Sequence, residues 1–186
     1  MRRRVFLSLL GPPLAFMGIL ATGVVPDAAA VLYLAAVTPW LIWIDASSHR
    51  LPNVLVVPGI GVGLLSCAGE WVVSGRVPAV PLVSGVAYAG FLLVLHVLGG
   101  MGMGDVKLAA ALGLASWNLS VAVLSPVIAF LVGGLVSVVL LIAGRRGKRI
   151  AFGPFLLGGF WAAVLVLALA RAEPPEVGAV ALSLYR

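Results

Sequence analysis

The chain has 186 residues, of which 62% are hydrophobic and only 10% charged. A soluble domain is roughly half apolar and a quarter charged, so this composition, with a mean hydropathy of +1.20, excludes an ordinary soluble domain and points to an integral membrane protein. The net charge of +6 does not indicate a nucleic-acid partner, because the basic residues flank apolar runs instead of sharing one face; the single cysteine, Cys67, sits inside such a run and reads as a core thiol, with neither a disulfide framework nor a Cys-based zinc site available.

A helix needs about 20 apolar residues to cross the hydrocarbon core. In chain order the candidate spans are residues 5–25, 28–44, 54–73, 80–98, 106–116, 119–143 and 152–170. The expected fold class is all-α: a polytopic transmembrane helix bundle of about six to seven spans, in one membrane domain covering 1–186. The start, "MRRRVFLSLL", followed by an Ala-rich end, resembles a cleavable signal peptide, but its apolar stretch is long for one, which favours a retained first span. The fifth span is short, as expected of a helix that begins inside the protein or tilts little. Pro12, Pro13, Pro58, Gly61, Gly63, Gly133 and Gly134 fall inside spans, where neighbouring helices can satisfy freed backbone groups and small residues allow close approach.

Lys and Arg set the orientation. Nine of the twelve (Arg2, Arg3, Arg4, Arg50, Lys107 and four in "RRGKR" at 145–149) fall on the side of the N-terminus, against Arg76, Arg171 and Arg186 on the other. The bias places the N-terminus in the cytoplasm and makes "RRGKR" a topology anchor. The tail at 173–186 reads as a short interfacial segment.

Of six acidic residues, Asp27, Glu70, Glu173 and Glu176 fall on the outer side. The remaining two, Asp45 and Asp105, both fall at the inner ends of spans. Each has a structural reading: Asp45 as a helix-end marker with Arg50 near it, Asp105 as an N-cap with Lys107 snorkelling to the headgroups. If the two meet, chemistry follows. Carboxylates about 4 Å apart repel by roughly 4 kcal/mol at an effective dielectric of 20, or about 3 pK units. One then keeps a proton near neutral pH while the other is ionised, so one can take a proton from water while the other polarises a carbonyl.

The stretch "GGMGMG" before Asp105 is too glycine-rich for a helix and reads as irregular backbone that lets an extended substrate approach. A phosphate loop is the rival, but the preceding strand and the Gly-Lys-Ser/Thr end are missing. His49 reads as a solvated loop residue and His96 as a packed or interfacial one.

"DASSHRLPN" (45–53) resembles the first aspartate motif of prepilin peptidases, "GMGDVKL" (102–108) their Gly-x-Gly-Asp-x-Lys motif, and "AFGPFLLGG" (151–159) a third segment that is usually Pro-Phe-Gly-Pro-Phe. The resemblance covers most of residues 40–159. It implies an aspartic endopeptidase of the bacterial inner membrane, multi-pass, with its active site cytoplasmic. Such an enzyme cuts prepilins or pseudopilins after a short basic leader ending in Gly. Carried over by position, Asp45 and Asp105 are the catalytic dyad, and Gly102 and Gly104 shape the loop beneath Asp105. Lys107, Pro52, Asn53, Gly153 and Pro154 are the other motif positions expected to shape the loops or meet substrate.

No cofactor or metal is expected. The implied partners are the helix and leader of the substrate and the lipid bilayer, with no nucleic acid, and homo-oligomerisation stays open. Ala151 departs from the usual Pro of the third segment. Larger relatives add a domain with paired Cys-x-x-Cys motifs and methylate the new N-terminus; this chain looks like the short, peptidase-only form. Presenilin-like proteases pair Gly-x-Gly-Asp with Tyr-Asp, whereas Ile44 precedes Asp45 here. The alternatives from other classes are a small cation-coupled transporter or channel using the two boundary acids, and a catalytically silent scaffold. Transporter acids lie more often near the midplane, within repeats.

Overall fold

The residues between the apolar runs decide where each helix starts and stops. Pro52 is extended (φ −72°, ψ 122°) and precedes one helix, and Gly75 ends the same helix in the left-handed region at φ +68°. Asn118 caps another, its side chain accepting the Ser120 N–H at 2.8 Å. A computed structural model describes residues 26–144 and 151–172. It shows α1 (Pro26–Ser48), α2 (Asn53–Ser74), α3 (Ala79–Val97), α4 (Met103–Leu114), α5 (Leu119–Ile142) and α6 (Gly153–Ala172), with no strand among the described residues.

These six helices match the second to seventh expected spans to within a few residues. The first span, "RRGKR" and the tail from 173 lie outside the described residues. Among the described residues five helices are long and apolar enough to cross a membrane, which gives a multi-pass helical bundle. The exception corrects the expectation of a fifth span. At 12 residues, α4 is about 18 Å long, well short of a hydrocarbon core of about 30 Å. It is instead an internal helix. Val106, Leu108, Ala109, Ala111, Leu112, Gly113 and Leu114 are all buried, whereas Met103 in the first turn is exposed, so α4 is enclosed beyond its first turn. The turn that follows is buried too, at Ala115 and Ser116.

Small residues let α4 sit so deep. A Cβ on Gly113 would lie 2.5 Å from the Ser84 carbonyl oxygen and 2.6 Å from the Gly85 Cα, so α3 and α4 touch backbone to backbone. Leu114 fills the space left by Gly63 and Gly85. On the other flank, Gly159 of α6 rests against Ser125 and Ala129 of α5. Between these contacts lies a core in which Leu41, Leu92, Leu108, Leu112, Leu156, Leu157 and Phe160 have no exposed surface. Two hydrogen bonds tie helices together: the buried Trp161 indole N–H donates to Thr38 Oγ1 at 3.0 Å, and the half-buried Tyr33 donates to the Leu55 carbonyl at 2.7 Å. The outer faces are apolar, with Val72, Val86 and Leu131 largely exposed, as in a bundle solvated by lipid. The expected Cys67 core thiol is buried.

Candidate active site

The last turn of α1, the start of α2, the segment after α3 and the starts of α4 and α6 converge at one end of the bundle, around two shared cavities. Asp45 lies in the last turn of α1 and is only 4% exposed. The first N–H groups of any helix have no partner within it, and Asp45 uses one of them. Its Oδ2 accepts the N–H of Gly153, the first residue of α6, at 3.0 Å. A carboxylate at a helix N-terminus is also favoured by the helix dipole. Arg50, expected near Asp45, lines a cavity that Asp45 also lines.

Asp105 is the third residue of α4, and this corrects two expectations. The N-cap is Gly102, not Asp105, and Gly104 belongs to the first helical turn, so the irregular backbone covers only 98–102. The Asp105 carboxylate reaches back instead: its Oδ2 accepts the Gly102 N–H at 3.3 Å while the Asp105 N–H donates to the Gly102 carbonyl at 3.1 Å. Burial pushes the Asp105 carboxyl up, the Asp45 carboxylate adds to the rise, and the Gly102 N–H opposes both, leaving it at about 6.

Two cavities flank the acids, and Asp45, His49, Gly102 and Asp105 line both. The smaller, about 300 Å³, is bordered by Arg50, Asn53, Gly104 and Lys107. The larger, about 590 Å³, is bordered by Gly99, Gly100, Met101, Ser137 and Phe152. The acids therefore stand where a polar, cation-bearing cavity meets one walled by glycine backbone and apolar side chains. Lys107 does not simply mark a membrane boundary. Its Nζ donates to Asn53 Oδ1 at 3.0 Å, joining α4 to α2. Gly104 gives Leu51 room, since a Cβ there would lie 3.0 Å from the Leu51 Cβ.

Of the residues expected at the site, Asp45, Asp105, Gly102, Gly104, Lys107 and Asn53 share the smaller cavity. Gly153 touches Asp45 from outside it. Pro52 and Pro154 line neither cavity and serve as helix-start residues. His49, expected in solvent, is exposed but lines both cavities, held in the left-handed region at φ 53° where α1 ends. The position of His49 four residues after Asp45, at a helix end, was the available signal. Among the described residues no group of three or more His, Cys, Asp or Glu gathers as a metal site.

The model of the type IV leader peptidase family matches residues 31–143, a range that contains both acids. The chain is 34% identical over 137 residues to the prepilin leader peptidase/N-methyltransferase of Neisseria gonorrhoeae, covering 70% of this chain and 46% of that protein. It is 36% identical over 135 residues to the protein of the same name in Pseudomonas putida, covering 66% and 44%. For that of Aeromonas salmonicida (strain A449) the figures are 34% over 148 residues, 73% and 48%. The chain thus spans about half the length of these curated relatives. No solved structure matches. Because the family match runs through more than half of the chain and through both acid-bearing turns, this protein belongs to the type IV leader peptidase family.

Proposed function

We propose that the chain is a membrane aspartic endopeptidase that cleaves the basic leader of prepilins or pseudopilins at the cytoplasmic face of the bacterial inner membrane. The observation that carries this reading is the pairing of Asp45 and Asp105, from helices far apart in sequence, on the same two cavities at one end of the bundle.

The chemistry follows from a pair that holds one proton. Asp105, its carboxyl raised to about 6, holds that proton on the acid side of neutrality and donates it toward the scissile carbonyl oxygen. Asp45 takes a proton from the attacking water, whose oxygen bonds to the carbonyl carbon. The tetrahedral intermediate then collapses: the C–N bond breaks, the leaving amine takes the proton held by Asp45, and Asp105 regains its own. Glycine backbone at 99, 100 and 102 leaves room for an extended chain beside the acids.

A cation-coupled transporter would call for acids near the middle of the spans, whereas these occupy a last turn and a first turn. The test is direct. Purified protein in detergent is mixed with a substrate carrying a basic leader, a Gly and an apolar helix, and products are read by mass spectrometry. Cleavage after that Gly is expected. An intact substrate, with acid-dependent cation flux in proteoliposomes, would overturn the reading in favour of transport.

A further inference from the structure

We propose that His96 is a positioning residue for Asp105, acting through the single peptide group between Met101 and Gly102; this rests on the peptidase reading above. His96 lies in the last turn of α3, half-buried, and its Nδ1 is 2.7 Å from the Met101 carbonyl oxygen. A carbonyl oxygen can only accept, so Nδ1 carries the proton and donates. The amide on the far side of that peptide bond is the Gly102 N–H, which donates to Asp105 Oδ2. In a trans peptide the C=O and N–H point in opposite directions within one plane, and no cis peptide occurs among the described residues. Gripping the oxygen from one side therefore aims the N–H at Asp105 on the other.

The rest of the loop is built to deliver this peptide. Gly99 takes φ +81°, the Gly99 N–H donates to the His96 carbonyl at 2.9 Å, and the Gly100 N–H donates to that of Leu95 at 3.0 Å. That pair of bonds ends α3 as a Schellman turn, for which the left-handed residue is a glycine. The turn brings the chain back past His96 five residues later. Beyond it, Met101 and Gly102 have no helix to hold them, and a glycine-rich segment has much conformational freedom to lose. The imidazole supplies the missing restraint. Without it, the Met101 carbonyl loses its partner and the Gly102 N–H loses its aim.

The other groups around Asp105 do not duplicate this contact. Asp45 and His49 come from the end of α1, Arg50 from the following loop, and Lys107 from α4 itself. Among the described residues, α2 brings Asn53, α5 brings Ser137 and the segment just before α6 brings Ala151 and Phe152. Of the residues that line the two cavities, none outside α1, its loop and α4 is charged.

The test combines cleavage with direct titration. In His96→Leu, the Asp105 carboxyl band, assigned by its loss in Asp105→Asn, should titrate at a pH higher by about half a unit or more, because the N–H bond that favours its ionised form is weakened. The kcat/KM for a prepilin substrate should fall on the order of tenfold. His96→Asn places an amide N–H where Nδ1 stood and should restore both. A titration midpoint unchanged in His96→Leu, or His96→Asn behaving like His96→Leu, would overturn the proposal. The titration does not depend on turnover, so it can fail or succeed whatever becomes of the peptidase reading, which fails only if the unmodified protein does not cleave.

Discussion

Asp45 is held by the backbone N–H of Gly153 at 3.0 Å, across 108 residues of sequence, and so caps the helix that Gly153 begins. The fit admits no side chain at 153: a Cβ there would lie 2.6 Å from Asp45 Oδ2 and 3.2 Å from its carboxyl carbon. Gly153→Ala must push the Asp45 carboxyl aside. A displacement near 1 Å at a catalytic group lowers rates by about 100-fold, so cleavage should fall by that order while the protein remains folded in detergent. Rate assays beside a gel-filtration profile check this.

The raised Asp105 carboxyl has two consequences with defined signs. It binds its proton more tightly when folded, with its group at about 6 against 3.8 for an ordinary Asp. Between those values the folded state holds more protons than the unfolded one, so stability should decline as pH rises from about 4 to about 6. Asp105→Asn should reduce that decline in a thermal-unfolding series. In the proposed mechanism the protonated form is the active one, so kcat/KM should fall on the alkaline side with an apparent pKa near 6, a value that belongs to the pair.

The backbone contact between α3 and α4 predicts a packing effect remote from the acids. Gly113→Ala places a methyl 2.5 Å from the Ser84 carbonyl oxygen and 2.6 Å from the Gly85 nitrogen. Overpacking of this kind costs about 1–3 kcal/mol. The midpoint of unfolding in denaturing detergent should drop accordingly, whereas Gly134→Ala, with open space around it, should leave the midpoint nearly unchanged.

Lys107 and Asn53 offer a test of the smaller cavity. Their bond at 3.0 Å is the hydrogen bond by which α4 reaches the first residue of α2. Lys107→Met and Asn53→Ala should each destabilise the protein, and the double variant should fall short of their sum by about 1 kcal/mol. A double-mutant cycle on thermal stability measures that coupling.

How much of this was legible in sequence differs from residue to residue. Hydropathy placed each described helix, and it brought Asp45 and Asp105 to the same end of the bundle before any contact was known. It could not tell that α4 is an enclosed helix, because a short apolar run surrounded by lipid reads the same as one surrounded by protein. The Asp45 bond to Gly153 was hidden for a different reason: its donor is a backbone N–H, which every residue but proline has. Lys107 read as a boundary charge because its partner, Asn53, depends on how α4 is rotated against α2. His96 looked like packing since its effect passes through a peptide group, which leaves no trace in side-chain pattern.

The central claim is that Asp45 and Asp105 act as one unit, and the most direct measurement is kcat/KM for prepilin cleavage by Asp45→Asn, Asp105→Asn and the double variant. Residues that work as a unit are strongly non-additive, so each single change should abolish at least 1,000-fold of the rate, an order-of-magnitude expectation, and the double variant should be no slower than either. Retention of about a tenth or more of the rate in either single variant, with the protein folded, would contradict the account.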